Sequence, residues 1–284
     1  MMDKLWIVFV VIYSLLKGSR DGMKKAALKK SSSNEILFFY TLLGFIFVIP
    51  FSADAFNVAP IFIFYSFIKA TVVSAAWLFA LKALKKMTVS LYGIMDLSRV
   101  VFSTALGVFA LGEAFTAKKA IGITLVIAGL LLVNLKKNAQ GGKGMTFPIL
   151  IAALLNCFLN AVSGTMDKVL MQYMTSSQLQ FWFMLFSALI YGVILLVTHE
   201  KISVKSVKTN YWIPLLSLSL VFGDRLLFEA NASPLSQVTL MTIIKQSSVV
   251  VTVLTGWLIY KEKDILYKLM CTGIVLSGIF VALI

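Results

Sequence analysis

Histidine, cysteine and acidic side chains are scarce in this chain, and each scarcity removes a class of function. The one histidine, His199, has no partners for a metal site, and the two cysteines, Cys157 and Cys271, sit inside apolar runs. Neither a zinc centre nor a disulfide framework fits that pattern, so no metal and no cofactor is expected. Charged residues are 13% of the chain, about half the soluble norm. Five prolines and 17 glycines in 284 residues exclude a collagen-like or low-complexity chain. What is abundant is apolar: 60% of residues are hydrophobic and the mean hydropathy is +0.93. A water-soluble globule cannot hide that much apolar surface, and disorder is excluded by the same composition. The sequence describes a polytopic membrane protein.

The net charge of +14 raises nucleic acid as a partner, but the lysines punctuate apolar stretches instead of forming a stripe on one surface. No nucleic acid is expected. Nor does the N-terminal apolar run end in a small-residue cleavage site, so it reads as a span and not a signal peptide.

A bilayer crossing needs about 20 apolar residues. Such runs place helices near 4–28, 35–53, 59–82, 88–111 and 116–136, then near 147–172, 178–198, 211–232, 236–260 and 265–284. The longest loop, around KNAQGGKGMT, separates two sets of five: a first unit over 1–138, a linker over 139–146 and a second unit over 147–284. The sets are copies. A shift of 149 positions lays 77–133 on 226–282 without a gap, matching Ser98 with Ser247, Gly107 with Gly256, Glu113 with Glu262 and Gly129 with Gly278. A shift of 143 lays Phe38–Tyr40 on Phe181–Phe183 and Lys25 on Lys168. An odd number of spans per unit turns the second copy upside down. The expected fold is all-α and integral to the membrane, with ten transmembrane helices as two inverted five-helix repeats. In transporters built this way the substrate site lies near the midplane between the repeats.

The segment LSRVVFSTALGVFALGEAFTAKKAIGITLVIAGLLLV resembles the end of an EamA domain of the drug/metabolite transporter superfamily, with its glycine–glutamate before the fifth helix and its later alanine–glycine–leucine. GSRDGMKKAAL, from Gly18 to Leu28, is similar to the family's first helix, with Lys25 on its recurrent basic position. The resemblance covers nearly the whole chain, twice. It implies a transporter and not an enzyme. There are two departures: the proline usual early in the fourth and ninth helices is Val100 and Val249, so the family's kink loses its usual cause, and Lys261 stands where the second glycine belongs.

A charge near a helix centre costs ~2.5–3.5 kcal/mol on insertion scales, so charged residues inside spans usually face a bundle interior or wet cavity. Lys69, Asp96, Arg99 and Lys245 are such residues, and Asp224 and Arg225 lie just past the middle of the eighth span. Lys17/Asp21 and Arg225/Glu229 are spaced i,i+4 and Asp96/Arg99 i,i+3, so local ion pairs are expected within each couple. That leaves Arg20, Lys69 and Lys245 against Asp224. Asp96 and Lys245 are also repeat equivalents, 149 apart, and a pair across the pseudo-two-fold axis is expected between them. The aromatic residues Tyr13, Tyr40, Trp77, Tyr92 and Trp182 read as packing or lipid-facing side chains, and Glu113 and Glu262 as helix-start acids. Asn156 and Asn160 share a face that either lines a cavity or joins helices. Gly107, Gly129, Gly256, Gly273 and Gly278 read as close-packing positions.

The excess of midplane bases favours a small anionic or zwitterionic metabolite, carried by alternating access among the first, third, fourth, sixth, eighth and ninth spans. Substrate and coupling candidates are Lys17, Arg20, Asp21, Lys69, Asp96, Arg99, Asn160, Asp224, Arg225 and Lys245. Protons are a candidate coupling ion through Asp21, Asp96 or Asp224, against simple exchange or uniport. A lipid-linked sugar flippase or a lipophilic-cation exporter of the same fold is the alternative. The expected setting is the lipid bilayer of a bacterial plasma membrane, as a monomer or homodimer. Lysines in the short loops divide sixteen to three between the two membrane faces, which puts both termini outside, whereas ten-helix members of the family keep both inside. Accordingly, a fluorescent protein fused after Ile284 should stay dark and a periplasmic phosphatase reporter should be active; strong fluorescence reverses the orientation.

Overall fold

A computed structural model describes residues 5–111, 114–139, 146–200, 209–232 and 244–283, and every regular element among them is helical. The first repeat comprises α1 (Leu5–Ala27), α2 (Ser33–Val48), α3 (Pro60–Lys86), α4 (Val89–Asp96), α5 (Arg99–Leu111) and α6 (Ala117–Ala139). The second comprises α7 (Phe147–Leu170), α8 (Ser176–Val197), α9 (Trp212–Ala232), α10 (Ser248–Leu258) and α11 (Ile265–Leu283). Helices α4 and α5 are two halves of one span, so each of the ten expected spans has a helical counterpart, the ninth (236–260) described only from residue 244 onward. Among the described residues, six segments have the length and hydropathy to cross a bilayer. Neither α1, with Lys17, Arg20 and Asp21, nor α9, with Asp224, Arg225 and Glu229, is among them. Outward faces of α1, α3, α8 and α11 present Leu15, Phe64, Leu189 and Phe280.

Packing follows the duplication. The equivalent helices α2 and α8 pack on each other, as do α6 and α11. The equivalent fourth and ninth spans meet as well, α4 against α10, and other major contacts come in mated pairs: α3 against α7 mirrors α9 against α1, and α5 against α7 mirrors α10 against α1. This is the pattern of a pseudo-two-fold axis running between α2/α8 and α6/α11. At α6/α11 the backbones nearly touch, for a Cβ on Gly278 would lie 2.7 Å from the Gly122 carbonyl oxygen and one on Gly129 would lie 2.5 Å from Val275 Cγ2. Gly273, expected to do the same, has open space before it.

Local signals repeat as well. Ser32 caps α2 by accepting from the Glu35 N–H while Glu35 answers to the Ser32 N–H, and Thr175 with Gln178 does the same for α8. Both are capping boxes, which start α2 and α8 each two residues earlier than apolar run length suggested. The break in the fourth span survives the loss of proline. The Ser98, Val100 and Val101 N–H groups bond three residues back instead of four, and the same tightening recurs where Ser247 donates to Ile244 and Val250 to Ser247. A short 3₁₀ stretch inside a long helix is a recognised site of bending. Ser98 and Ser247 are equivalents, so the two breaks are one feature written twice.

The lysine-rich end of the bundle is tied together by buried polar contacts. Glu262, in the turn between α10 and α11, accepts from the Val89 N–H at 2.6 Å and the Ser90 N–H at 3.3 Å, and from Lys268 at 2.8 Å. It therefore caps α4 of the opposite repeat, in addition to sitting before its own helix. Glu113 lies outside the described residues. Lys25, on the family's basic position, donates to the Leu84 and Met87 carbonyls at 2.5 and 2.7 Å, closing the C-terminus of α3. Tyr260 donates to the Gly22 carbonyl at 2.6 Å. Lys261 takes φ 51°, the left-handed conformation that suits the glycine it replaces.

Two outcomes follow for purified protein. Lys261→Gly should raise the melting temperature, because a side chain in left-handed backbone costs about 1–2 kcal/mol. Burial alone would raise the Glu262 carboxyl, but the Lys268 and Ser90 hydrogen bonds, the Lys268 charge and the Val89 N–H outweigh it and hold the group below its usual 4.5. A depressed folded-state pKa gives stability that is complete above about pH 4.5 and lost as pH falls through the lower folded value. Glu262→Gln should lower stability near neutral pH by about 1.5–3 kcal/mol and flatten the acid limb of a melting-temperature profile.

Candidate functional site

The helices enclose a cavity of about 500 Å³, and polar residues along otherwise apolar spans converge on it. Nine of the ten sequence candidates line it: Lys17, Arg20, Asp21, Lys69, Asp96, Arg99, Asn160, Asp224 and Lys245. Arg225 does not. It turns aside to Glu229 at 3.3 Å and the Ser177 hydroxyl at 2.6 Å, which forms the expected i,i+4 pair away from the cavity.

The pairing inside the cavity differs from that drawn from spacing. Lys17 reaches across to Asp96 on α4 at 3.5 Å instead of bonding Asp21, which pairs with Lys24 at 3.6 Å. Asp96 also holds Arg99 at 2.7 Å, as its i,i+3 spacing implied. With two bases already on it, Asp96 makes no pair with Lys245, and the expected cross-repeat bridge is absent. The bridges that do cross between repeats lie elsewhere. Arg20 on α1 meets Asp224 on α9 at 3.6 Å, and Lys69 on α3 meets Asp167 on α7 at 3.2 Å. Lys69 is buried, donates to the Ser163 hydroxyl at 3.2 Å and stands 4.1 Å from the centre of the Phe183 ring. At that range the ring face offsets part of the cost of burying an ammonium. Lys168, the equivalent of Lys25, falls in α7 near this bridge in sequence, but its side chain lies outside the described residues.

Spacing alone missed several contributors. Asp167 and Lys24 line the cavity with Gln180, Phe183 and Gln246. Asp167 carried a signal, an acid in an apolar span, but its partner is 98 residues away in sequence and no helical periodicity links them. Tyr13, Tyr40, Trp77 and Tyr92, read as packing residues, also border the cavity, whereas Trp182 turns away to the Ala55 carbonyl at 2.8 Å. Trp77 bridges Tyr40 and Phe183, with ring centres 5.3 and 5.9 Å away, to make a continuous aromatic wall. Of the two asparagines, Asn156 does both things open to it and Asn160 only one. Both border the cavity, and the Asn156 amide also donates to the Tyr92 hydroxyl at 3.3 Å, joining α7 to α4, while Asn160 donates only to Asn156 within α7.

Among the described lining residues, seven bases face four acids, and all four acids are engaged: Asp21 by Lys24, Asp96 by Lys17 and Arg99, Asp167 by Lys69, Asp224 by Arg20. A polar-lined chamber of about 500 Å³ inside an apolar helical bundle is the architecture of a membrane transport protein. No group of histidines, cysteines and carboxylates among the described residues has the arrangement of a metal centre.

The comparisons agree with that class. The EamA-like transporter family matches residues 4–135 and again 147–284, so the chain belongs to that family and is a multi-pass integral membrane protein of the drug/metabolite transporter type. No curated protein matches it. Among solved structures 28 chains match, and one described only as "Crystal structure of protein" superposes with a TM-score of 0.66 at 14% identity, covering 99% of this chain and 96% of the other. At that identity the likeness is one of fold.

The Arg20–Asp224 bridge allows a direct test of pairing across the repeats. Breaking a buried pair from one side costs about 3–5 kcal/mol, because the remaining charge loses its partner, while replacing both is far milder. Asp224→Asn alone should therefore lower the melting temperature, and Arg20→Gln combined with Asp224→Asn should recover much of the loss. Additive losses in the double-mutant cycle would show that the two side chains act separately.

Proposed function

We propose that this EamA-family protein is a secondary transporter that moves a small polar anion across a bacterial plasma membrane by alternating access, with the substrate held in the central cavity. One observation carries the reading: among the described lining residues there are more bases than acids, and each carboxylate is already paired with a base. A lipophilic-cation exporter needs the reverse, an uncompensated acid against aromatic rings. The aromatic wall is present here, but the acid is not. An enzymatic reading would have to use Ser163 and Lys69, 3.2 Å apart at the chamber, but that lysine is engaged by Asp167 as an ammonium and is no general base.

Alternating access draws support from the two-fold packing and the repeated helix breaks. In this reading α4/α5 and the helix through Ser247 swing about equivalent serines, and the Glu262, Lys25 and Tyr260 ties at the lysine-rich end part when the cavity opens there. The test is flux in proteoliposomes loaded with candidate organic anions. Lys69→Ala and Arg99→Ala should each cut flux about tenfold or more while leaving expression and monodispersity near wild type. Asp96 keeps Lys17 when Arg99 is removed, and the Asp167 side chain, 35% exposed, can hydrate when Lys69 is removed. Wild-type flux in both variants would place the substrate elsewhere.

A further inference from the structure

Resting on that reading, we propose that Lys245 and the open edge of Arg99 form the subsite for the anionic end of the substrate, a carboxylate or phosphoryl group, and that the substrate carries no compensating ammonium. Lys245 lies just before the break at Ser247 and borders the cavity, yet it has no hydrogen bond or ion pair among the described residues. Each of the other midplane bases, Lys17, Arg20, Lys69 and Arg99, has a carboxylate within 4.0 Å. A lone ammonium in an apolar bundle is costly unless something transient neutralises it.

Its charged surroundings make the case stronger. The charges acting on Lys245 are Arg99, which repels it, and Asp167, which attracts it but is already engaged by Lys69. Lys17 feels Lys245 as well. Lys245 thus shares one corner of the cavity with two other bases, Lys17 and Arg99, whose acid, Asp96, both already use. Arg99 spends only its Nη2 on Asp96, at 2.7 Å, and its side chain remains 26% exposed to the chamber. An anion placed between Lys245 and that guanidinium edge receives charge-assisted hydrogen bonds from both and cancels their mutual repulsion. Gln246, the next residue, borders the cavity with a buried amide oxygen that bonds nothing. Rotating that amide brings either an acceptor or a donor to the bound group, which suits a hydroxyl or a second oxygen beside the anion.

The same inventory rejects a zwitterion. An α-ammonium needs a carboxylate to balance its charge, which the aromatic wall cannot supply, and all four described cavity acids are bound to bases. Placing it within a few ångströms of Lys245 would restore the repulsion that its carboxylate relieved. The selected class is therefore an organic acid or phosphate ester, not an amino acid.

The experiment uses full-length protein in detergent and in proteoliposomes. Thermal shifts are measured with lactate, succinate, inorganic phosphate, alanine and choline at matched ionic strength, with sodium chloride as the reference. At least one of the three anions should stabilise the protein over sodium chloride, with lactate or succinate marking a carboxylate subsite and phosphate a phosphoryl one; alanine and choline should do nothing. Lys245→Gln should weaken that anion about tenfold or more, whereas Lys245→Arg should retain it. The apo form of Lys245→Gln should melt no lower than wild type, since an unpaired charge is removed and no acid is orphaned; a purely structural lysine would give the opposite sign. Stabilisation by alanine, no stabilisation by any of the three anions, or unchanged anion affinity in Lys245→Gln overturns the proposal. Binding that depends on Lys245 without wild-type counterflow of the same anion would leave the subsite standing and overturn the transport reading instead.

Discussion

No cavity carboxylate can stand alone in an interior made of helices selected for lipid, and that constraint organises the bundle. Arg20 and Asp224 join α1 to α9, and Lys69 and Asp167 join α3 to α7. These two interfaces are mates under the pseudo-two-fold axis, so each carries one ion bridge between the repeats. The polarity is reversed between them: α1 supplies the base at one and α7, its equivalent, supplies the acid at the other. Duplication kept the interface while the individual charges diverged, and what was retained was the presence of an opposite pair at each. Helices too charged to enter a bilayer unaided become acceptable because their charges meet across the chamber.

Much of this was legible in the chain. The shifts of 149 and 143 positions predict two inverted units, and the packing obeys them. Ser32-x-x-Glu35 and Thr175-x-x-Gln178 are readable capping boxes, and both form. The converging charges were readable too, since nine of ten candidates reach one cavity. The choice of partner was not. Spacing along a helix shows which side chains share a face, so it found Asp96–Arg99 and Arg225–Glu229. It gave Lys17 to Asp21, although Lys17 has a closer claim on Asp96 across the helix interface, and it sent Lys245 to an Asp96 already satisfied twice. Equivalence under a repeat fixes matching depth, not proximity, because the two residues sit on opposite sides of the axis unless they lie on it.

The lost prolines teach a related lesson. Val100 and Val249 remove the usual cause of a kink, but the chain still tightens to three-residue bonding at Ser98 and Ser247. A break that persists in both copies without its usual residue is held by tertiary packing. Charges crowd on either side of it, with Asp96 and Arg99 flanking one break and Lys245 just before the other. A bend there turns those side chains toward the chamber and away from lipid. Likewise Lys261 adopts the backbone of the glycine it replaced, because Glu262 must reach Val89 and Ser90 on the opposite repeat. In both places the long-range contact dictates the local conformation.

Stability and transport make opposite demands on the same charges. A cavity in which every base was paired would be at rest electrostatically and would have little reason to bind an anion. One with many unpaired bases would pay for them in folding, since each buried charge must be solvated by something. The arrangement found here divides the labour: engaged acids hold the repeats in register, and the excess of base is left at the breaks where the helices bend. Under the proposed function, an anion arriving there would neutralise charge at the point about which the halves would rotate. Its binding energy would then be coupled to the element that must move, while the bridges on α1/α9 and α3/α7 keep the repeats aligned around it.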